Sequence, residues 1–202
     1  YAVGGIDLSQ TTDLTSACVV IEKDGTEYVM SHFWLPADKI EEAIARDDIP
    51  YREMIEQGFM SLSGEGFVDY NDVFLWFMDL VQNYKIMPLV VGYDRYSSQY
   101  LVQQMKNDGG FLMDDVYQGW NMTPAINKLE GELKEGKIKI GDNALLRVHL
   151  LDTALQRDRM TKRVKIVKLN GLCHIDGTAA LLDALIVKDK WAGEYSRQLK
   201  NE

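Results

Sequence analysis

Three aspartates in this sequence occupy positions that are poor for burial and good for chemistry. Asp7 interrupts the first apolar run, Val3-Gly4-Gly5-Ile6-Asp7-Leu8, Asp94 ends a second at residues 89–93, and Asp176 stands where a long apolar helical pattern begins. If the two runs are neighbouring central strands, Asp7 and Asp94 lie close together, and like charges at that range repel unless a cation sits between them. Carboxylate oxygens call for Mg²⁺ or Mn²⁺ rather than zinc, and no His/Cys cluster competes. Two such ions about 3.5–4 Å apart carry out in-line displacement at phosphorus. The plainer reading of each residue is a turn or cap aspartate, and for Asp176 at a helix start that reading is a strong rival.

Other groups stand near these three in sequence. Asp183 follows Asp176 by seven residues, so on a helix it shares that face about 10 Å further along the axis. The two cannot both ligate one ion. Asp176 is the preferred ligand, because metals gather at helix ends, and Asp183 is expected to be an outer or solvated acid. Asp13, six residues after Asp7, is positioned for an outer-sphere role. His174 is placed either to reach a reacting phosphate, to orient a carboxylate, or to serve structure alone.

The elements that must hold these groups follow from pattern. Residues 3–8, 16–22 and 26–34 read as three antiparallel strands, with Lys-Asp-Gly at 23–25 as a hairpin turn. Residues 36–47 and 50–57 read as helices opened by proline, and 58–66 as a loop or short strand. Helical spacing at Val73, Phe74, Phe77, Leu80 and Val81 predicts a helix over 71–84. The continuous apolar run at 89–93 is a buried central strand. Helices are expected at 97–107, 123–135, 143–156 and 177–191, and strands at 111–118 and 163–169. That order is an α/β layer structure with a mixed sheet, an antiparallel three-strand meander extended by parallel strands through crossovers.

The chain has 202 residues, 46% hydrophobic and 26% charged, with net charge −9. This suits one domain that folds without disulfide or structural-metal staples. Cys18 and Cys173 match no metal-ligand spacing and read as reduced core residues of a cytoplasmic protein. The most apolar stretch, 73–91, is broken by Asp79 and Lys85, which excludes a membrane span of about 20 residues. The start at Tyr1 suggests a mature product or a piece of something longer. Bulk acidity argues against a nucleic-acid binder, but charge is unevenly placed. Arg157, Arg159, Lys162, Arg163, Lys165 and Lys168 face only Asp158, a local +5, so the remainder sums to −14. The strip is either a polyanion contact or a solvated hairpin.

Two phosphate-loop look-alikes fail. Gly131 to Lys137 spells G-x-x-x-x-G-K, but Ile138 replaces the Ser/Thr that holds Mg²⁺, and the segment lies within and after a helix. Gly5 to Thr12 resembles the first phosphate loop of the actin and sugar-kinase ATPases, whose second lobe this chain lacks.

Four ordered blocks carry a more specific resemblance: GGIDLSQTTDLTSACVV, VVGYDRYSSQYLVQQMKNDGGF, YQGWNMTPAINKLEGELKEGKIKIGDNALLRV and HIDGTAALLDAL. Together they resemble the nuclease domain of the large terminase subunit of tailed bacteriophages, the branch packaging HK-type capsids. The resemblance implies an RNase H-like fold and an Mg²⁺- or Mn²⁺-dependent endonuclease cutting concatemeric double-stranded DNA. It places the family's three acids on Asp7, Asp94 and Asp176 and an auxiliary acid on Asp13. It implies an ATPase motor domain on the same polypeptide, a small terminase subunit and a portal protein as partners, no membrane, and the host cytoplasm. On this reading residues 1–202 are a C-terminal nuclease domain without its motor. The strip Arg157–Lys165, helped by Lys128 and Arg147, is the expected DNA-backbone contact. A junction resolvase or transposase core, or a catalytically silent DNA- or portal-docking module, remains an alternative.

Overall fold

Alternation and turn chemistry build the N-terminal third. Strands β1 (Ala2–Asp7), β2 (Thr15–Lys23) and β3 (Thr26–Leu35) form an antiparallel meander. Its second hairpin closes on Asp24 and Gly25, both at positive φ as a two-residue turn with right-handed strand twist requires. The structure is a computed structural model and describes residues 1–8, 14–95 and 98–200. Helices α1 (Ile40–Asp47) and α2 (Tyr51–Glu56) lead to β4 (Met60–Leu62), α3 (Tyr70–Gln82), β5 (Pro88–Asp94), α4 (Gln99–Asn107) and β6 (Met113–Val116). A 3₁₀ turn at Trp120–Met122 opens α5 (Thr123–Glu135), followed by β7 (Ile138–Lys139), α6 (Ala144–Leu151), β8 (Thr153–Arg157), β9 (Val164–Lys168), α7 (Asp176–Lys190) and α8 (Ala192–Leu199).

The main sheet has the strand order β4-β3-β2-β1-β5-β6, with β7 also against β3. The β1–β5 and β5–β6 pairs are parallel, so the sheet is mixed in the way the sequence indicates. Two expectations fail. The helix expected over 143–156 stops at Leu151, where the Thr153 hydroxyl bonds the His149 carbonyl at 2.7 Å. The chain then turns into β8, which pairs with β9 as a separate two-stranded sheet. Ala154 and Leu155 continue the apolar spacing of α6, and that continuity hides the break. The chain also does not close with α7, because α8 follows it directly.

Side-chain alternation splits the core in two. Val3 and Val90 pack with α5, α6 and α7 on one face of the sheet, while Ala2, Ile6, Val91 and Tyr93 pack with α3 and α4 on the other. Helix α7 is buried on nearly every side, as apolar residues all round its surface over 179–187, interrupted only by Asp183, demand. It is fixed at its far end by Lys188, which pairs with Glu22 at 2.7 Å and with Glu27, and by Trp191 Nε1 donating to Asp114 of β6 at 2.7 Å. Between its ends it lies directly on strand backbone. A Cβ on Gly5 would stand 1.9 Å from the Ala180 carbonyl oxygen, and one on Gly92 2.5 Å from that of Asp183.

Only glycine permits this contact, so Gly5→Ala is expected to destabilise the fold by roughly 3 kcal/mol, a fall in melting temperature of about 6–12 °C. Gly131→Ala, in α5 with open space around its Cα, is expected to stabilise by about 0.5–1 kcal/mol. Thermal denaturation of both variants checks the pair; a Gly5→Ala protein melting with wild type contradicts the backbone contact.

Candidate metal centre and nucleic-acid interface

Period-two alternation places Gly5 and Asp7 on one face of β1, and Gly92 and Asp94 on the corresponding face of β5. The parallel register pairs Gly5 with Gly92 and Ile6 with Tyr93. Asp7 and Asp94 therefore end neighbouring strands at the same edge of the sheet, on the face that α7 covers. Asp183, whose own carbonyl is the atom closest to Gly92, is fully buried. Burial pushes its pKa well above the ordinary aspartate value, and the charges of Asp7 and Asp94 push it further. Gln118, just beyond β6, opposes this by donating from Nε2 to Asp183 Oδ2 at 3.1 Å. Asp183 Oδ1 is buried with no hydrogen-bond partner among the described residues.

Of the two sequence expectations for Asp183, a solvated or an outer acid, its burial excludes the solvated one. Asp183 lies on the part of α7 that rests on the sheet, and its electrostatic neighbours are the two strand acids. Asp176, expected to join those acids, sits at the start of α7 in a second polar cluster. Its Oδ2 is 3.7 Å from His174 Nδ1 and 4.0 Å from His149 Nδ1. It is the first helical residue, with Ile175 at the cap position. His174 does not face an open site either. Its Nε2 lies 2.9 Å from Asp47 Oδ2, and the Asp47 side chain, 1% exposed, also accepts from Arg46 Nε at 2.5 Å and Tyr51 OH at 2.8 Å. His149 Nδ1 accepts from the Gly177 amide at 2.9 Å. Asp13 lies outside the described residues.

Sequence reasoning missed Gln118, Asp47, Tyr51 and His149. Gln118 stands within the YQGW block, which carried family resemblance but no chemical cue. Asp47 looks like any helix-end acid, because its partners come from α2 and from a segment more than 120 residues away.

The basic strip forms the β8–β9 hairpin. Arg157, Arg159, Lys162 and Arg163 are exposed, and Lys165 and Lys168 are partly buried. Asp158 holds the hairpin loop by accepting from the amides of Met160 (2.9 Å) and Thr161 (2.6 Å). Lys165 Nζ lies 4.9 Å from the Trp120 ring centre. Arg147 is exposed on α6. Lys128 is engaged otherwise: its ammonium pairs with Asp189 at 2.7 Å, which weakens its case as a DNA contact.

Hard oxygen donors dominate the Asp7–Asp94–Asp183 group, and the orphaned Asp183 oxygen fits a divalent cation of the Mg²⁺ or Mn²⁺ type. Among the described residues no three His, Cys, Asp or Glu side chains stand close enough together to hold an ion as they are. Both cysteines are buried and free. No helix of the described residues is long and apolar enough to cross a membrane.

The sequence matches the family described as terminase large subunit, endonuclease domain, over residues 1–191. No curated protein matches it. Among solved structures it is similar to the large terminase of bacteriophage HK97, with 24% identity and a TM-score of 0.79 over 91% of this chain and 38% of that one. The large terminase nuclease of thermophilic phage G20c with bound magnesium aligns at 12% identity and TM-score 0.58, covering 91% of this chain and 79% of that one. The same phage's nuclease with bound cobalt aligns at 12% identity and TM-score 0.57, over the same 91% and 79%. The fold is the RNase H-like fold of these nuclease domains, and the chain spans 38% of the HK97 protein's length.

The cluster around Asp47 has a pH signature. Burial alone would raise the Asp47 pKa, but the hydrogen bonds from Arg46 and Tyr51 and the His174 charge outweigh it, leaving it below 3.8. A carboxylate that holds its proton less tightly when folded contributes stability above its unfolded pKa, and loses it as pH falls through the folded value. Asp47→Ala is expected to cost about 3–5 kcal/mol at pH 7, the gap to wild type narrowing as pH drops below 3.8. Urea unfolding at stepped pH measures this, and a gap that stays constant down to about pH 3 contradicts it.

Proposed function

This chain belongs to the terminase large-subunit endonuclease-domain family, and from that premise we propose that it is a divalent-metal-dependent endonuclease cutting double-stranded viral DNA during genome packaging. The observation that carries the reading is the complete burial of Asp183 with its Oδ1 left without a hydrogen-bond partner among the described residues, on the sheet face where Asp7 and Asp94 end neighbouring strands and where their charges disfavour its ionised form. Such an arrangement is costly alone and becomes favourable around a cation. Asp7, Asp94 and Asp183 would hold Mg²⁺ or Mn²⁺, two ions on this reading, and Asp183 takes the third-acid place first expected for Asp176. When bound, the ions supply an activated water and a Lewis acid at the leaving 3′-oxygen.

The protein's own residues do the rest. Asp7 and Asp94 are fixed by the strand ends and Asp183 by the helix, so the three carboxylates are presented from rigid elements. The hairpin cations Arg157, Arg159, Lys162, Arg163 and Lys165 hold the DNA backbone, with Arg147 on the neighbouring helix. Backbone contacts read no sequence, so cutting is nearly non-specific and falls steeply with salt. An ATPase motor on the same polypeptide, a small terminase subunit and a portal protein are the partners, in the host cytoplasm. The G20c relative carries magnesium in its structure, which supports the choice of metal.

Supercoiled plasmid with Mn²⁺, Mg²⁺ or EDTA tests the proposal. Wild type is expected to nick and linearise it in either metal and not in EDTA. Asp183→Asn is expected to lose roughly 10²–10³-fold in rate while gaining about 0.5–2 kcal/mol of metal-free stability from relief of repulsion. Asp176→Asn is expected to retain most of the rate. Full activity in Asp183→Asn contradicts the acid set, and a folded wild type inert in every metal contradicts the enzyme.

A further inference from the structure

Asp183 arrives at its site on a helix whose position is set by glycine contacts, but the rotation of its carboxylate is set from elsewhere. Among the described residues the hydrogen bond that orients it comes from Gln118 Nε2, at 3.1 Å on Oδ2. Gln118 lies in the connector between β6 and α5, and that connector is held at both ends. Behind it, Val116 pairs with Asp94 in the sheet and accepts from the Arg95 amide at 3.1 Å. Gly119 follows at φ 114° and ψ −138°, a conformation open essentially to glycine alone. Ahead of it, the Trp120 ring meets Lys165 of β9. The Thr123 hydroxyl accepts from the Val164 amide at 2.9 Å and sits 2.8 Å from the Trp120 carbonyl. The connector is thus tied to Asp94 on one side and to the basic hairpin on the other, with Gln118 between.

We propose that Gln118 is the positioning residue of the acid site, fixing the Asp183 carboxylate so that its second oxygen stays available to a metal ion. The chemistry of the side chain suits the task. A lysine or arginine here would pair with Asp183 and compete with the cation, whereas a neutral amide donates one hydrogen bond to one oxygen and brings no charge of its own. A partner that orients a ligating group governs metal affinity by about 10–100-fold when it is lost. This inference rests on the reading of Asp7, Asp94 and Asp183 as the metal-holding set.

The test uses Gln118→Met, which preserves length and volume but removes the donor, with Gln118→Ala as a second variant. Mn²⁺ binding is measured by calorimetry without DNA, duplex affinity in EDTA, and cleavage across a Mn²⁺ series. Both variants are expected to bind Mn²⁺ about 10-fold more weakly and to need correspondingly more metal for half-maximal cleavage. Their duplex affinity and KM are expected to match wild type, and the rate to return toward wild type at saturating Mn²⁺. A packing role would leave Gln118→Met unchanged. If wild type binds Mn²⁺ and both folded variants bind it equally well, the positioning role is wrong and the acid set stands. If wild type binds no Mn²⁺, the acid set itself fails and the inference with it.

Discussion

The contact between the α7 backbone and the backbones of β1 and β5 is the constraint on which the rest of this molecule depends. Two missing Cβ atoms, at Gly5 and Gly92, let a helix rest on a sheet at a separation that any side chain would forbid. That closeness has a consequence for charge. Alternation carries Asp7 and Asp94 two residues beyond the glycines on the same face, and the helical turn that touches the glycines carries Asp183. Steric permission at one level of the sheet therefore becomes electrostatic conflict at the next, at the edge where the strands end.

Helix α7 absorbs that conflict because it is pinned on either side of it. At its start, Asp176 belongs to a buried cluster with His149 and His174, and His174 in turn meets Asp47. Near its end, Lys188 is held between Glu22 and Glu27, and the following Trp191 by Asp114. Two acids seven residues apart on one helix thus have opposite circumstances. Asp176 has cationic or protonatable neighbours, while Asp183 has carboxylates and an amide. The ends of the helix are thus held by oppositely charged or protonatable partners, and the middle carries an acid whose charged form is disfavoured by burial and by two further carboxylates.

Much of this was legible in the sequence, for identifiable reasons. The meander, the central strand ending in Asp94 and the long closing helix follow from alternation and apolar spacing, which report burial directly. Asp7 and Asp94 could be singled out because an acid inside an apolar run needs an explanation. The choice between Asp176 and Asp183 could not be made that way. Axial rise correctly separates them, but which level of the helix meets the strand ends depends on the glycine contacts, a three-dimensional fact with no signature in spacing. Thr153–Arg157 was hidden because a strand following a helix without a glycine or proline between them continues the helical apolar rhythm. Gln118 was invisible because its partner lies 65 residues away in sequence, and an amide carries no local mark of its role.

The most direct measurement is a crystal structure of the protein grown with Mn²⁺, with the metal located by its anomalous scattering. The prediction is a peak bound by Asp183 together with Asp7 and Asp94, at oxygen distances of about 2.1 Å, with Asp176 still among its histidines. A peak held by Asp176 and His174, with Asp183 left out, would contradict it.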